Sequence, residues 1–176
     1  MAFVQAAFRG ALAWASNFAP VDVYGYASVE HAYQASKFEK GSAHRATIRV
    51  LPVNKTGQYA RDNIAAQRAI DPIPAMLTLL RAKFAHQYFA ALLLATGEQK
   101  LVEVNGWHDQ FWGDCQCSTH EACATPGRNL LGELLMQLRS EMLANQPVDQ
   151  LPEAPAPKKK SRVKFTPAPT QEALAL

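Results

Sequence analysis

Two segments with the apolar spacing of amphipathic helices constrain the fold more than any other feature of the sequence. In segment 73–89, apolar side chains recur every three or four residues: Met76, Leu77, Leu80, Phe84 and Tyr88. In segment 129–143, a wider stripe has the same spacing: Leu130, Leu131, Leu134, Leu135, Leu138 and Met142. Because such a stripe is buried when the chain folds, the pattern predicts two helices whose apolar faces lie in the core.

Shorter elements are predicted around these two helices. We expect strands at 3–8, 11–14, 21–26 and 100–104, with Gly25 as a turn or a bulge in the third. Further helices are expected from Ser28 to about Lys40, at 43–50, at 57–69, and in a segment that ends at Gly97. Since the helices outnumber the strands and do not alternate with them, the prediction is an α+β fold, a helix-rich single domain with a small β-sheet.

The composition changes after residue 145. Prolines recur every few residues in 146–176, where neither a helix nor a sheet ladder would survive. We therefore predict one domain over 1–145 and a disordered, flexible, proline-rich tail over 146–176. The tail holds five basic and three acidic residues, so the domain carries only +1 of the formal charge of +3 and has no signature of a broad phosphate-binding surface. A solvated tail is favoured, and a nucleic-acid contact or a docking segment is the alternative.

The sequence also predicts where the chain works. Its apolar runs are shorter than the ~20 residues that span a bilayer, and no basic region precedes the mildly apolar N-terminus as in a signal peptide. The three cysteines lie in one loop, which argues against a secreted disulfide framework. We expect a cytoplasmic protein without a membrane partner.

The helix after Ser28 has an unusual polar stripe, formed by Glu30, Tyr33, Gln34 and Lys37 at offsets zero, three, four and seven. Its other side carries small residues, which permit close packing, so the stripe would face a crevice. Glu30 and Lys37 are separated by about 10 Å along the axis, too far for a simple salt bridge but suited to converging on a small molecule. By pattern alone, a solvated helix face is the favoured interpretation.

Three other segments favour a site. Ser16, Asn17 and Phe18 form a loop just before this helix, of the kind that often holds ligands. Segment 105–114 places two tryptophans, Phe111 and two aspartates around glycines, and aromatic faces stack on nucleobase-like rings. Arg128 and Asn129 follow Gly127 at the start of the last helix, where backbone N–H groups and a guanidinium would favour phosphate.

Together these segments resemble the NADAR family, named for its association with NAD and ADP-ribose. The resemblance runs from about residue 14 to 143, and the residues that carry it are Ser16-Asn17-Phe18, Ser28-x-Glu30-His31-x-Tyr33-Gln34-x-x-Lys37, Lys83-Phe84, Leu92-Leu93 with Thr96-Gly97, Leu101-Val102-Glu103, Asp109-x-x-Trp112-Gly113, Gly127-x-Asn129-x-Leu131-Gly132 and Leu135-Met136-x-x-Arg139. The chain departs from the family in lacking a tryptophan–aspartate pair before the helix at 73–89. A longer segment, DCQCSTHEACATP, also replaces a short glycine link after Gly113.

The resemblance implies a mostly helical α+β fold and cleavage of an N-glycosidic bond to a ribose carbon. The substrate would be a phosphoribosylamino-pyrimidine intermediate of riboflavin synthesis or an ADP-ribosylated guanine. The alternative is a module that binds ADP-ribose or a nucleotide without turnover.

In the enzyme interpretation, Lys37 is the nucleophile that forms a Schiff base with an opened ribose. Glu30 is the general acid–base, and Asp109 orients a ribose hydroxyl or polarises water. The remaining candidates bind substrate, with Trp112 stacked on the base: Ser16, Asn17, Phe18, His31, Tyr33, Gln34, Trp112, Gly113, Arg128 and Asn129. His31 could equally be a satisfied core histidine. A rival mechanism makes Lys37 a phosphate contact while Glu30 activates water, and neither mechanism needs a cofactor. All of this requires Glu30 and Lys37 to share a shielded cleft with Trp112.

The cysteine-containing segment has a separate interpretation. Cys115, Cys117, His120 and Cys123 offer enough ligands for a tetrahedral zinc ion. Their spacing is tighter than the common two-knuckle pattern, so we favour an insertion with reduced thiols and predict no metal at the active site.

Overall fold

The computed structural model of the chain describes residues 3–6 and 8–145. In chain order the elements are β1 (Phe3–Ala6), α1 (Val29–Ser36), α2 (Ala43–Val50), α3 (Val53–Asp62), α4 (Pro72–Phe84), α5 (Gln87–Ala95), β2 (Lys100–Asn105), β3 (Asp114–Cys115) and α6 (Leu130–Ala144). Short 3-10 turns lie at Gly10–Ala15, Ile64–Ala66 and Glu121–Ala124. The helix-rich α+β fold is therefore confirmed, while the predicted tail, 146–176, lies outside the described residues.

The sheet is small and parallel, with strand order β1-β2-β3. β1 pairs with β2 from Phe3 opposite Lys100 to Ala6 opposite Glu103, and helices α1 to α5 form the connection between these two strands. β2 continues alongside β3, where Asn105 lies opposite Cys115. The segments that follow β2 and β3 are therefore held side by side.

The core lies between α1 and the elements that surround it. α1 packs against α2, α3 and α4, and α6 packs against β2. The small residues Ala32 and Ala35 of α1 are buried, which permits the close packing predicted for that side of the helix. Most of the predicted stripe residues of the two long helices are in the core, which includes Met76, Leu80, Phe84, Leu131, Leu134, Leu135 and Leu138. Tyr88, the last residue of the first predicted stripe, is exposed.

Local hydrogen bonds explain several element boundaries. The Ser28 hydroxyl accepts from the backbone N–H of His31, so Ser28 is the predicted N-cap of α1. The Asp71 carboxylate caps α4 in the same way, with Pro72 in the first turn. At the other end of the fold, the buried Arg139 guanidinium donates to the Thr96 hydroxyl at 2.6 Å and to the Gln99 carbonyl at 3.0 Å, which joins α6 to the end of α5.

Several predicted elements differ from the structure. Segment 11–14 lies in a 3-10 turn, and 21–26 is a tight turn closed by one bridge between Val23 and Tyr26. Tyr24 and Gly25 both have positive φ, 53° and 79°, as in the two-residue turns that match strand twist. The predicted Gly25 turn is therefore present without the flanking strand.

Helix lengths also differ. α1 ends at Ser36 rather than near Lys40, and α3 begins at Val53, directly after Pro52, and ends at Asp62. Segment 73–89 is broken after Phe84, because His86 has extended backbone angles and α5 starts at Gln87. The predicted stripe does not continue across the break: Tyr88 is exposed, and α5 turns Leu93 and the partly buried Phe89 to the core instead. Within the described residues, no helix combines the length and apolarity that a bilayer crossing requires.

Candidate active site

The polar stripe of α1 faces the interior of the protein. Tyr33 and Gln34 are buried, and Glu30 and Lys37 are half-buried. The solvated face that the pattern alone favoured is therefore not what the structure has. Small residues on the opposite side of α1 pack against its neighbours, and the stripe is left facing α3 and the segment after β2.

Glu30 lies at the centre of this crevice. Its Oε1 accepts a hydrogen bond from Gln34 Nε2 at 2.9 Å. α3 covers the pair closely, since a Cβ at Gly57 would lie 3.6 Å from Glu30 Oε1 and 3.7 Å from Gln34 Nε2. Burial raises the pKa of Glu30, although the Gln34 hydrogen bond and the positive charge of Lys37 oppose that rise. The carboxyl group is thus shifted toward its protonated form.

Lys37 caps the C-terminus of α1, and its Nζ lies 4.9 Å from the centroid of the Tyr33 ring. Burial lowers the pKa of Lys37, the charge of Glu30 raises it, and Arg61 on α3 lowers it. Burial therefore shifts the amine toward its neutral, nucleophilic form. Burial thus shifts the pKa of both groups toward the uncharged form, and the charge of each partner opposes the shift of the other.

Tyr33 links this pair to the segment after β2. Its ring meets the Trp112 ring edge to face, with centroids 5.6 Å apart. Burial, together with the negative charges of Glu30 and Asp109, raises the pKa of Tyr33 to about 12. Asp109 Oδ1 accepts from the backbone N–H groups of Phe111 at 3.0 Å and Trp112 at 2.8 Å, so this carboxylate fixes the turn that presents Trp112.

The loop before α1 contributes a second wall. The backbone carbonyl of Asn17 accepts from the Glu30 N–H at 3.0 Å, which ties the loop to the first turn of the helix. The buried side-chain oxygens Asn17 Oδ1 and Gln34 Oε1 have no hydrogen-bond partner within the described part of the chain. Buried acceptors are rarely left unpaired, so these two oxygens are suited to receive donors from a bound molecule. In the same loop the Ser16 hydroxyl accepts from the Phe18 N–H, and the Phe18 side chain is exposed.

Lys83 was not predicted as a functional residue. It is fully buried on α4, and its Nζ donates to the Ser16 carbonyl at 2.8 Å beside the rings of Phe84 and Phe89. Burial lowers the pKa of Lys83 to about 7. The lysine therefore holds the loop that carries Asn17. Its position on the apolar face of a predicted helix is a signal that could have identified it.

Two more charged residues near the crevice carry no predicted role. Glu103 on β2 is half-buried and accepts from the Phe8 N–H, and burial raises the pKa of its carboxyl to about 7 with Asp109 contributing. Arg61 on α3 is exposed and close enough to lower the pKa of Lys37. Both come from elements that the sequence did not connect to the stripe, although Glu103 lies in one of the resembling motifs.

The predicted phosphate site at the start of α6 is not formed. The N–H groups of Arg128, Asn129, Leu130 and Leu131 already donate to the carbonyls of residues 110, 113, 111 and 112. Asn129 also uses its side chain within the fold, because Oδ1 accepts from the Glu103 N–H and Nδ2 donates to the Leu101 carbonyl, both at 2.9 Å. Arg128 is exposed, with its guanidinium 4.9 Å from the Phe111 ring centroid. These contacts make Asn129 a structural clamp rather than a free substrate ligand.

His31 and Gly113 also have structural contacts. His31 Nε2 lies 2.9 Å from the Leu51 carbonyl, to which it donates, and Nδ1 accepts from the Ser28 hydroxyl at 2.8 Å. Both ring nitrogens are therefore engaged, as in the alternative of a satisfied core histidine. Gly113 is buried where a Cβ would lie 2.7 Å from Asn105 Nδ2, so this position requires glycine for close packing.

The fold and the crevice define a helix-rich α+β protein with a carboxyl group and an amine in one shielded site. The chain belongs to the NADAR family, since the NADAR domain profile matches residues 4–143. N-glycosidase YbiA of Escherichia coli strain K12 is 36% identical over 135 residues, which cover 72% of this chain and 79% of YbiA. N-glycosidase Npun_R5314 of Nostoc punctiforme is 34% identical over 140 residues, covering 72% of this chain and 83% of that protein.

A solved structure agrees with these sequence comparisons. The NMR structure of Escherichia coli YbiA matches with a TM-score of 0.65 and 31% identity, covering 79% of this chain and 83% of YbiA. The chloroplastic riboflavin biosynthesis protein PYRR of Zea mays is 30% identical over 155 residues, which are 75% of this chain but only 24% of PYRR. These relatives support an enzyme of the glycosidase class, and the resemblance to the NADAR family is confirmed.

Proposed function

We propose that the protein is an N-glycosidase that hydrolyses the bond between a ribose carbon and the nitrogen of an amino-pyrimidine or guanine base. The observation that carries this proposal is the pairing of Glu30 and Lys37 on one inward-facing stripe, with burial favouring the uncharged form of each. A binding module would need neither a proton donor nor an amine with a lowered pKa at this position.

The proposed reaction begins at the glycosidic nitrogen. The protonated Glu30 carboxyl donates its proton to the leaving base as the C1′–N bond breaks, which avoids expelling an anion. The neutral Lys37 amine bonds to C1′, where positive charge develops, and Glu30 then takes a proton from the attached nitrogen. Glu30 then returns that proton to the ring oxygen O4′ as the C1′–O4′ bond breaks, which opens the sugar and leaves a protonated Schiff base between Lys37 and C1′. Addition of one water molecule breaks the C1′–Nζ bond and restores the amine and the free sugar.

The remaining residues of the crevice would hold the substrate. Asn17 Oδ1 and Gln34 Oε1, the two unpaired buried acceptors, are suited to ribose hydroxyl donors. The Trp112 ring, fixed against Tyr33, offers an apolar surface for the base. Arg61 is near enough to Lys37 to lower its pKa, and its guanidinium would neutralise a phosphate on the sugar.

The relatives favour one of the two substrate classes. The Zea mays protein is named for riboflavin biosynthesis, and this supports a phosphoribosylamino-pyrimidine as the substrate of this chain. The ADP-ribosylated guanine remains the alternative, and the basic tail that would contact nucleic acid lies outside the described residues.

A product assay tests the proposal. Wild-type protein is incubated with each substrate class, beside Glu30→Gln, Lys37→Met and the control Lys40→Met, which removes an exposed lysine three residues after Lys37. We expect free base and sugar from wild type and from the control, and a loss of about 10²-fold or more in kcat for the Glu30 variant. Tight binding of both substrates by wild-type protein without any product would instead support the binding module.

Borohydride separates the two mechanisms. If Lys37 forms a Schiff base, reduction during turnover links the sugar to Lys37 and inactivates wild-type protein, whereas Lys37→Met forms no adduct. If Lys37 only contacts phosphate, turnover continues without an adduct, and Lys37→Met changes mainly KM.

A further inference from the structure

We propose that His108, Cys115, Cys117 and Cys123 form a structural zinc site in the segment between β2 and α6. One ligand atom from each of these four side chains can be chosen so that all four lie within 4.8 Å of one another. The sequence pattern pointed to His120 as the nitrogen ligand, but the structure brings His108 to the cysteines instead. Three thiols and one imidazole are a recurrent ligand set for structural zinc.

The distances fit a tetrahedral ion. Bonds of about 2.3 Å to sulfur and about 2.0 Å to nitrogen place a sulfur and a nitrogen ligand about 3.5 Å apart. His108 Nδ1 lies 3.2 Å from Cys117 Sγ and 3.6 Å from Cys123 Sγ. The same imidazole nitrogen therefore faces two sulfurs at nearly the required separation.

The third sulfur is directed to the same point by the backbone. The N–H of His108 lies 3.3 Å from Cys115 Sγ, so Cys115 is held under the turn that carries the histidine. That turn has an unusual backbone, with φ of 69° at His108, a left-handed conformation that costs energy in a residue other than glycine. A metal bond to this imidazole would offset that cost.

The surrounding loop contains little regular secondary structure and is held mainly by side-chain and loop hydrogen bonds. Between β2 and α6 the regular structure consists of the two residues of β3 and one 3-10 turn, Glu121–Ala124. The Gln110 side chain joins the parts of the loop that carry the ligands. Its Nε2 donates to the Ala122 and Thr125 carbonyls, and its Oε1 accepts from the Cys115 N–H, each at 2.8 Å. A cross-link by zinc would add to these bonds and restrict the loop further.

The ion would also fix the wall of the crevice. His108 directly precedes Asp109, and Cys115 follows Gly113 by two residues, so the metal would clamp both ends of the turn that presents Trp112. This consequence rests on the proposed function, whereas the zinc site does not. On coordination, the three thiols lose their protons to solvent and the imidazole binds as the neutral ring through Nδ1.

Metal analysis of the full chain, purified without added metal, tests the site. We expect about one zinc ion per chain, removed by a strong chelator with a fall in melting temperature and exposure of all three thiols to a thiol reagent. Cobalt added to the metal-free protein should give the visible absorption and thiolate charge-transfer bands of a tetrahedral thiolate site.

Two histidine variants provide a matched comparison. The His120 ring lies beside the His108 ring, with centroids 4.7 Å apart and the planes tilted by 38°, but His120 is outside the ligand set. His108→Ala and Cys117→Ser should lose zinc or bind it much more weakly, while His120→Ala should retain it. If a variant fails to fold, the cobalt spectrum and chelator response of wild-type protein still decide the question.

Protein that folds without metal and takes up neither ion, or that contains a disulfide among these cysteines, would overturn the proposal, as would zinc loss in His120→Ala alone. These readouts do not depend on turnover, so a failure of the zinc site is distinguishable from a failure of the proposed glycosidase.

Discussion

Replacing the buried Lys83 should change how the stability of the protein depends on pH. The pKa of Lys83 falls from its ordinary 10.5 to about 7 in the folded state because the amine is buried. Between pH 7 and 10.5 the unfolded chain therefore binds more protons at this group than the folded chain does, and folding stability rises with pH. For these two pKa values, the rise from pH 7 to pH 9 is about 2 kcal/mol in the free energy of unfolding.

The assay is chemical denaturation of wild type and Lys83→Met at both pH values. The variant leaves the Ser16 carbonyl without its lysine donor, a loss of about 1–3 kcal/mol that does not depend on pH. The informative quantity is therefore the change in unfolding free energy from pH 7 to pH 9 in wild type minus the same change in the variant. The contributions of titrating groups that both proteins share cancel in this comparison. Wild type should gain about 2 kcal/mol more than the variant over this interval, and Lys40→Met, at an exposed lysine, should behave as wild type. Equal gains in wild type and Lys83→Met would refute the buried-charge argument.

Three further changes have expected outcomes. Because burial holds the pKa of Glu30 above its usual value, kcat should fall as pH rises through that pKa, and Glu30→Gln should remove this limb from the pH–rate profile. Gly113→Ala places a methyl group against Asn105 and should lower the free energy of unfolding by about 1–3 kcal/mol, whereas Gly106→Ala, with open space around the added carbon, should leave the melting temperature nearly unchanged. Trp112→Ala should raise the KM for the proposed substrate by removing about 1–3 kcal/mol of base stacking, with little loss of affinity for the sugar product; an unchanged KM would contradict a stacking role.

Much of the fold was predictable because a buried helix face requires apolar residues at every third or fourth position, and this spacing is visible in the sequence. The leucine stripe of α6 and the apolar face of α4 identify helices on their own, and serine marked the start of α1 correctly. The break at His86 was missed because Tyr88 has the spacing of the stripe on α4, although in the structure Tyr88 is exposed and Phe89 and Leu93 face the core. Segment 21–26 was misassigned because its alternation of apolar residues is used by a tight turn rather than by a paired strand.

The candidate site was predictable only where its residues share one element. Glu30, Tyr33, Gln34 and Lys37 lie on one helix, so their common face follows from helical geometry. Lys83 and Arg61 reach the same region from other helices, and nothing in the spacing of the sequence connects them to α1. Sequence spacing also could not decide between His108 and His120 as the nitrogen ligand. The loop reverses its direction and brings His108, which is farther from the cysteines in sequence, next to them.

The central claim is that Glu30 and Lys37 form one shielded acid–amine pair, and an NMR titration of the Lys37 amine tests it most directly. In the wild-type protein the Lys37 pKa should lie below its ordinary value of 10.5. In Glu30→Gln it should fall further, because the variant lacks the Glu30 charge that raises the Lys37 pKa in wild type. A Lys37 pKa close to 10.5 that does not respond to Glu30→Gln would contradict the account.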